Sequence, residues 1–160
     1  MSHPSLGLPP TDMTAGFPAA AARLAAAADR VGARALEIAV DADPTIRERH
    51  GDVGLQKLLR DSGVLIERLS RSLASADPRF VHDWADQVAP VYRRARVPMD
   101  DLIALAEGLR LATKSVLAPG ERGPVDEALD EAVAVFRKYR RIAGDARRRN
   151  RILQFIYKGA

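Results

Sequence analysis

Three histidines, 21 carboxylates and no cysteine bound the chemistry open to this 160-residue chain. Without cysteine there is no disulfide, no thiolate metal site and no thiol nucleophile, which fits a reducing, cytoplasmic setting. Metal binding would need several imidazoles or carboxylates to converge. His3 lies near the start, and His50 and His82 fall on different predicted helices. No Glu-x-x-His pair is present, so a carboxylate-bridged di-iron bundle is not expected. A Gly-x-Ser-x-Gly elbow, a phosphate-binding glycine loop and a dinucleotide fingerprint are all missing as well. His82 stands two residues after Phe80, off the apolar stripe of its helix, and reads as a rim histidine, with haem ligation as the alternative. Trp84 reads as core; the competing reading makes it, with Leu109 and Phe136, the wall of an internal pocket for an apolar ligand. Neither a catalyst, a metal nor a cofactor is expected.

The other chemistry is electrostatic. The segment RKYRRIAGDARRRNRILQFIYKGA, residues 137–160, carries nine Lys or Arg and one acid, Asp145. The remaining residues carry 16 cations and 20 acids, so a basic end (net +8) follows an acidic body (net −4). Arg137 with Arg141, and Arg147 with Arg151, are like-charge pairs one helical turn apart, flanked by Arg148 and Arg149. Such pairs repel by a few tenths of a kcal/mol unless neutralised. Nucleic-acid phosphate would neutralise them, but no zinc-finger, helix-turn-helix or stacking-aromatic pattern accompanies the patch. An anionic membrane surface is a second reading, given Phe155 and Ile156. Contact with an acidic protein surface, or a solvated flank, is preferred to either.

These groups are positioned by helices. Hydrophobic residues make up 47% and charged residues 29%, a globular composition for one domain. No apolar run reaches the roughly 18–20 residues of a membrane span. Residues 1–15 read as a flexible leader rich in Pro, Gly and Ser. Leu24, Ala28, Val31, Ala35 and Ile38 form one stripe at helical spacing after Pro18. Asp43-Pro44 starts a short helix that Gly51 ends; Asp77-Pro78 repeats the signal. Between them Leu55, Leu58, Leu59, Ile66, Leu69 and Leu73 make a second stripe, weakened at Gly63. Phe80, Trp84, Val88 and Val91 are the predicted buried face of the next helix, which Pro90 should kink or shorten. Pro98, Asp100 and Asp101 open a further helix with stripe Leu102, Ala106, Leu109, Thr113 and Val116. The predicted fold is all-α, a globin-like or antiparallel helical bundle.

From Pro124 a last helix is predicted to run to about Tyr157. Val125, Leu129, Ala132, Phe136, Tyr139, Ala143, Ala146, Asn150, Leu153 and Tyr157 follow alternating spacings of four and three. This is a heptad seam with one Asn, the residue that commonly sets register. About 34 helical residues span about 51 Å, more than the roughly 40 Å breadth of a 160-residue globule. The helix should therefore protrude. The half to about Ile142 is expected to pack on its own domain. Tyr139, Ala143, Ala146, Asn150, Leu153, Phe155, Ile156 and Tyr157 are the expected dimer or partner interface, in a helical domain over 16–143 with a basic, apolar extension over 144–160.

Residues 69–117, LSRSLASADPRFVHDWADQVAPVYRRARVPMDDLIALAEGLRLATKSVL, add a resemblance. A leucine-rich helix ends in small residues and Asp77-Pro78; Arg94 to Pro98 form an Arg-x-x-x-Val-Pro-like turn, and an acidic helix start leads to Leu109-Arg110. This resembles the helical N-terminal sensor domains of the RsbR type, which are globin-like and bind no haem. It extends over about residues 30–118. It implies a dimeric regulatory module that relays a signal through its terminal helix. That family usually joins this helix to an output domain; here the sequence stops at Ala160, so either the helix itself engages an output partner or the chain is cut at that junction. The expectation is a non-enzymatic sensing domain that forms a homodimer. An adaptor whose tail docks on a larger assembly, a membrane surface or nucleic acid is the alternative.

Overall fold

The computed structural model describes the backbone of residues 16–157 and the surroundings of side chains as far as Arg141. Six α-helices and no strand occur among the described residues: α1 (Pro18–Ala26), α2 (Ala28–Ala42), α3 (Thr45–Ser75), α4 (Arg79–Arg94), α5 (Met99–Ala112) and α6 (Gly123–Tyr157). Two 3-10 turns, Thr113–Ser115 and Pro119–Glu121, join α5 to α6. No helix of the described residues is long and apolar enough to cross a membrane.

The stripe from Leu24 to Ile38 is carried by two helices rather than one. The chain bends at Ala27, whose φ of −97° and ψ of 9° leave the helical region. Leu24, Val31 and Ala35 remain buried across the bend. The α1 entry is held from outside: Phe17 N–H donates to the Leu73 carbonyl at 2.7 Å, and Gly16 passes so close that a Cβ there would lie 2.3 Å from the same oxygen.

Both Asp-Pro signals act as expected. The Asp43 carboxylate accepts the Thr45 N–H and the Asp77 carboxylate accepts the Arg79 N–H, each at 3.0 Å. Gly51 breaks α3 at φ 60° and ψ −176°, a conformation that costs glycine little and other residues much. The longer second part of α3 then buries Leu58, Leu65, Ile66, Leu69 and Leu73.

In α4 the apolar stripe is shifted by one residue from the prediction. Val81, Trp84, Ala85, Ala89 and Tyr92 are buried, while Phe80 and Val91 are 36% and 47% exposed. Both sets satisfy helical spacing; the observed one wins because Tyr92 places its ring inward and its hydroxyl on Asp61. Pro90 stands inside α4 without ending it, and the buried Ala89 and Tyr92 beside it offset the one backbone bond lost.

Helix α5 lies between α2 and α6. Its approach to α2 depends on Gly108, where a Cβ would fall 2.3 Å from the Ala35 carbonyl oxygen. The near half of α6 buries Val125, Leu129, Ala132 and Phe136, so this part of the heptad seam is indeed core. Burial of Val125, Leu129 and Phe136 contributes roughly 1.5–3 kcal/mol each.

Candidate functional site

The first turn of α5 presents two adjacent carboxylates that go separate ways. Pro98 is extended and delivers Met99 into the core, and the turn that follows points Asp101 inward and Asp100 outward. Asp101 has a side chain only 2% exposed. An isolated carboxylate there would be severely desolvated. Arg49 relieves this with a two-pronged contact, Nη2 to Oδ1 at 2.6 Å and Nε to Oδ2 at 3.2 Å. His50 Nε2 lies 2.8 Å from Oδ2 and donates to it with its proton on that nitrogen.

Arg49 also reaches Asp43, Nη2 to Oδ2 at 3.1 Å, and donates to the Thr45 hydroxyl. The Asp43 carboxyl is held below its ordinary range, first by the Thr45 hydroxyl and then by Arg49. The Arg49 guanidinium is pushed up by its hydrogen bonds to Asp101 and Asp43. The outcome is a closed network of Asp43, Thr45, Arg49, His50 and Asp101 wrapped around the Gly51 kink.

Asp100, the exposed neighbour, accepts from Arg140 Nη1 of α6 at 2.6 Å. A second tie between α5 and α6 lies at the other end. Arg110 donates to Glu107, Asp126 and Asp130 at 3.1, 3.1 and 2.6 Å. Burial works against the Arg110 charge, but the bonds to Glu107 and Asp130 outweigh it and raise its pKa. One tie pairs the start of α5 with residue 140 and the other pairs its end with 126 and 130, so the two helices are antiparallel.

Most predicted site residues lie elsewhere. Trp84 and Phe136 meet edge to face, ring centres 6.3 Å apart, inside the core that also buries Leu109. His82 is half-exposed, with Nδ1 3.3 Å from Asp83, in keeping with a rim position. His3 lies outside the described residues. Of the expected interface, Tyr139 packs against its own core and its hydroxyl stands 3.5 Å from Asp86. The side chains of Ala143, Ala146, Asn150, Leu153, Phe155, Ile156 and Tyr157, and of Arg147, Arg148, Arg149 and Arg151, lie outside the described residues. Arg137 and Arg141 are exposed and form no ion pair among the described residues.

The Arg49–His50–Asp101 network was not foreseen. In the sequence Asp101 reads only as part of a helix start, and His50 only as one of too few histidines for a metal site. One signal was legible: an Arg-His pair set against a kink-forming glycine, in a chain with an Asp-Asp doublet where a single acid suffices for a helix start. No group of three or more His, Cys, Asp or Glu arranged to hold a metal ion occurs among the described residues. Comparison with protein-family models, curated proteins and solved structures finds no match.

Proposed function

We propose that this protein is a regulatory module, not a catalyst, in which a globin-like helical body passes a change of state to its terminal helix, and that α6 protrudes and forms a homodimer. The observation that carries this reading is the Asp100–Asp101 doublet. One carboxylate holds the Arg49–His50 pair at the α3 kink and its neighbour holds Arg140 on α6. A shift at the kink therefore moves the first turn of α5, and with it one anchor of the terminal helix. Coupling of this kind needs an element with two arrangements. The Gly51 kink, whose added Cβ would meet nothing within 4 Å, has the room for one. The resemblance of residues 69–117 to RsbR-type sensor domains supports the same role, as does the continuation of the heptad seam past the body.

The experiment is truncation after Gly144. The proposed dimer loses its seam, so light scattering should report the mass of a single chain, with far-ultraviolet circular dichroism of the body retained. A truncated chain that keeps the oligomeric state of the full chain rules the reading out. Exposed Arg137 and Arg141 favour a second reading, in which the tail docks on an acidic protein surface; truncation would then abolish capture of that partner and leave the mass per particle unchanged.

A further inference from the structure

One imidazole stands where the fold can move. The His50 side chain is only 9% exposed, and the residue immediately precedes Gly51, which breaks α3. Glycine passes between backbone conformations at little steric cost, so the turn carrying His50 can reorient without strain. Across from it Asp101, 2% exposed, belongs to the first turn of α5. The Asp101 N–H donates to the Pro98 carbonyl at 3.1 Å and closes that turn.

The charges at this point balance only with the imidazole counted. Asp101 and Asp43, the latter at the C-cap of α2, are two carboxylates, and Arg49 is the one guanidinium that bonds both. With a neutral His50 the group is one negative charge in excess; an imidazolium brings it to zero. No other charged side chain bonds His50, Arg49 or Asp101 among the described residues. Arg47, Glu48 and Asp52, their neighbours on α3, are exposed, and Asp100 of α5 turns outward to Arg140 of α6.

An imidazole changes charge between about pH 5 and 8. Both forms of His50 can donate from Nε2 to Asp101 Oδ2 at 2.8 Å, but only the charged form adds attraction between opposite charges. The proton is gained or lost at Nδ1 while Nε2 keeps its bond. Gly54, one turn on, places no side chain over that nitrogen; a Cβ there would lie 3.3 Å from Nδ1.

We propose that His50 is a pH-sensitive latch, which holds the α3 kink to the first turn of α5 when protonated and loosens it when neutral. This rests on the reading of the Asp100–Asp101 turn as the link to α6, and it names the proton as the change of state. A proton bound more tightly by the closed latch stabilises it at low pH, and that contribution is lost as pH rises.

The test follows the full chain by nuclear magnetic resonance from about pH 5 to 8. The His50 ring signal should titrate within that window. Exchange of the Asp101 N–H, corrected for the intrinsic rise of exchange with pH, should quicken about fivefold over the same interval, near the upper end of what an exposed ion pair gives. In His50→Gln, which donates without a charge, the corrected rate should be level with pH. His82→Gln, at the exposed His82–Asp83 pair, should follow the parent. A His50 ring signal that does not titrate would overturn the latch, and this reading needs no variant to fold. A corrected rate as pH-dependent in His50→Gln as in the parent would overturn it too. A response confined to α5, with the amides of residues 137–140 unmoved, would support the latch and count against the relay to α6.

Discussion

Asp100 and Asp101 differ by one position and by almost everything that decides what a carboxylate is worth. Asp101 is shielded from water and clasped by Arg49 and His50, whereas the Asp100–Arg140 pair is 64% and 52% exposed. Removing the charge from a buried network strands its partners, whereas an exposed pair contributes little. Asp101→Asn should therefore lower stability by roughly 2–4 kcal/mol, discounted for the partial exposure of Arg49, and Asp100→Asn by less than about 1 kcal/mol. Urea unfolding of the two variants measures the difference. Three further acids make acid stability predictable in sign. Asp43 is held low by Thr45 and Arg49, Asp77 by Arg79, and Glu121 by Arg23. The unfolded chain takes up these protons at higher pH than the folded one. Their contribution is thus complete above about pH 4 and is lost as pH falls below it. Urea midpoints followed downward through that range should fall less steeply for Asp43→Asn with Asp77→Asn than for the parent chain.

At the scale of elements, two helical glycines make opposite predictions. Gly63 lies in α3 with nothing within 4 Å of an added Cβ, so Gly63→Ala should stabilise by about 0.5–1 kcal/mol through helix propensity. Gly108 lies where α5 crosses α2, and Gly108→Ala drives a methyl to 2.3 Å from the Ala35 carbonyl oxygen. Backbone cannot yield there without parting the helices, so a loss of about 1–3 kcal/mol is expected. Thermal melts of the two variants should shift in opposite directions. The α4 phase carries the related lesson about stripes. Phe80–Trp84–Val88–Val91 and Val81–Trp84–Ala85–Ala89–Tyr92 are both helical repeats, and the larger side chains of the first set suggested the wrong one. The inward set includes Tyr92, which brings its own polar partner: its hydroxyl donates to Asp61 and Lys57 stands 4.3 Å from its ring centre.

For the molecule as a whole, α4 and α6 meet through an aromatic contact in the core. Trp84 is the only tryptophan, 7% exposed and edge-on to Phe136. Its emission reports the α4–α6 interface, while circular dichroism reports all helices. One contiguous core joins them, so the two signals should give coincident urea transitions. Separate transitions would show that α6 undocks before the body unfolds. Phe136→Ala should cost about 3–5 kcal/mol and shift both signals together.

The all-helical character, the two Asp-Pro starts, the break at Gly51 and the burial of the near half of α6 were all legible in the chain, because each is set by local backbone preference or by the period of apolar residues. The phase of α4, the bend at Ala27 and the fate of Asp101 were not. A period says how often a side chain returns to one face, but not which face the neighbouring helices cover. A carboxylate in a first turn serves the helix dipole equally well inside or outside. Tertiary packing made that choice: Gly108 let α5 settle against α2, and this placed Asp101 beside the kink of α3, where Arg49 and His50 hydrogen-bond it.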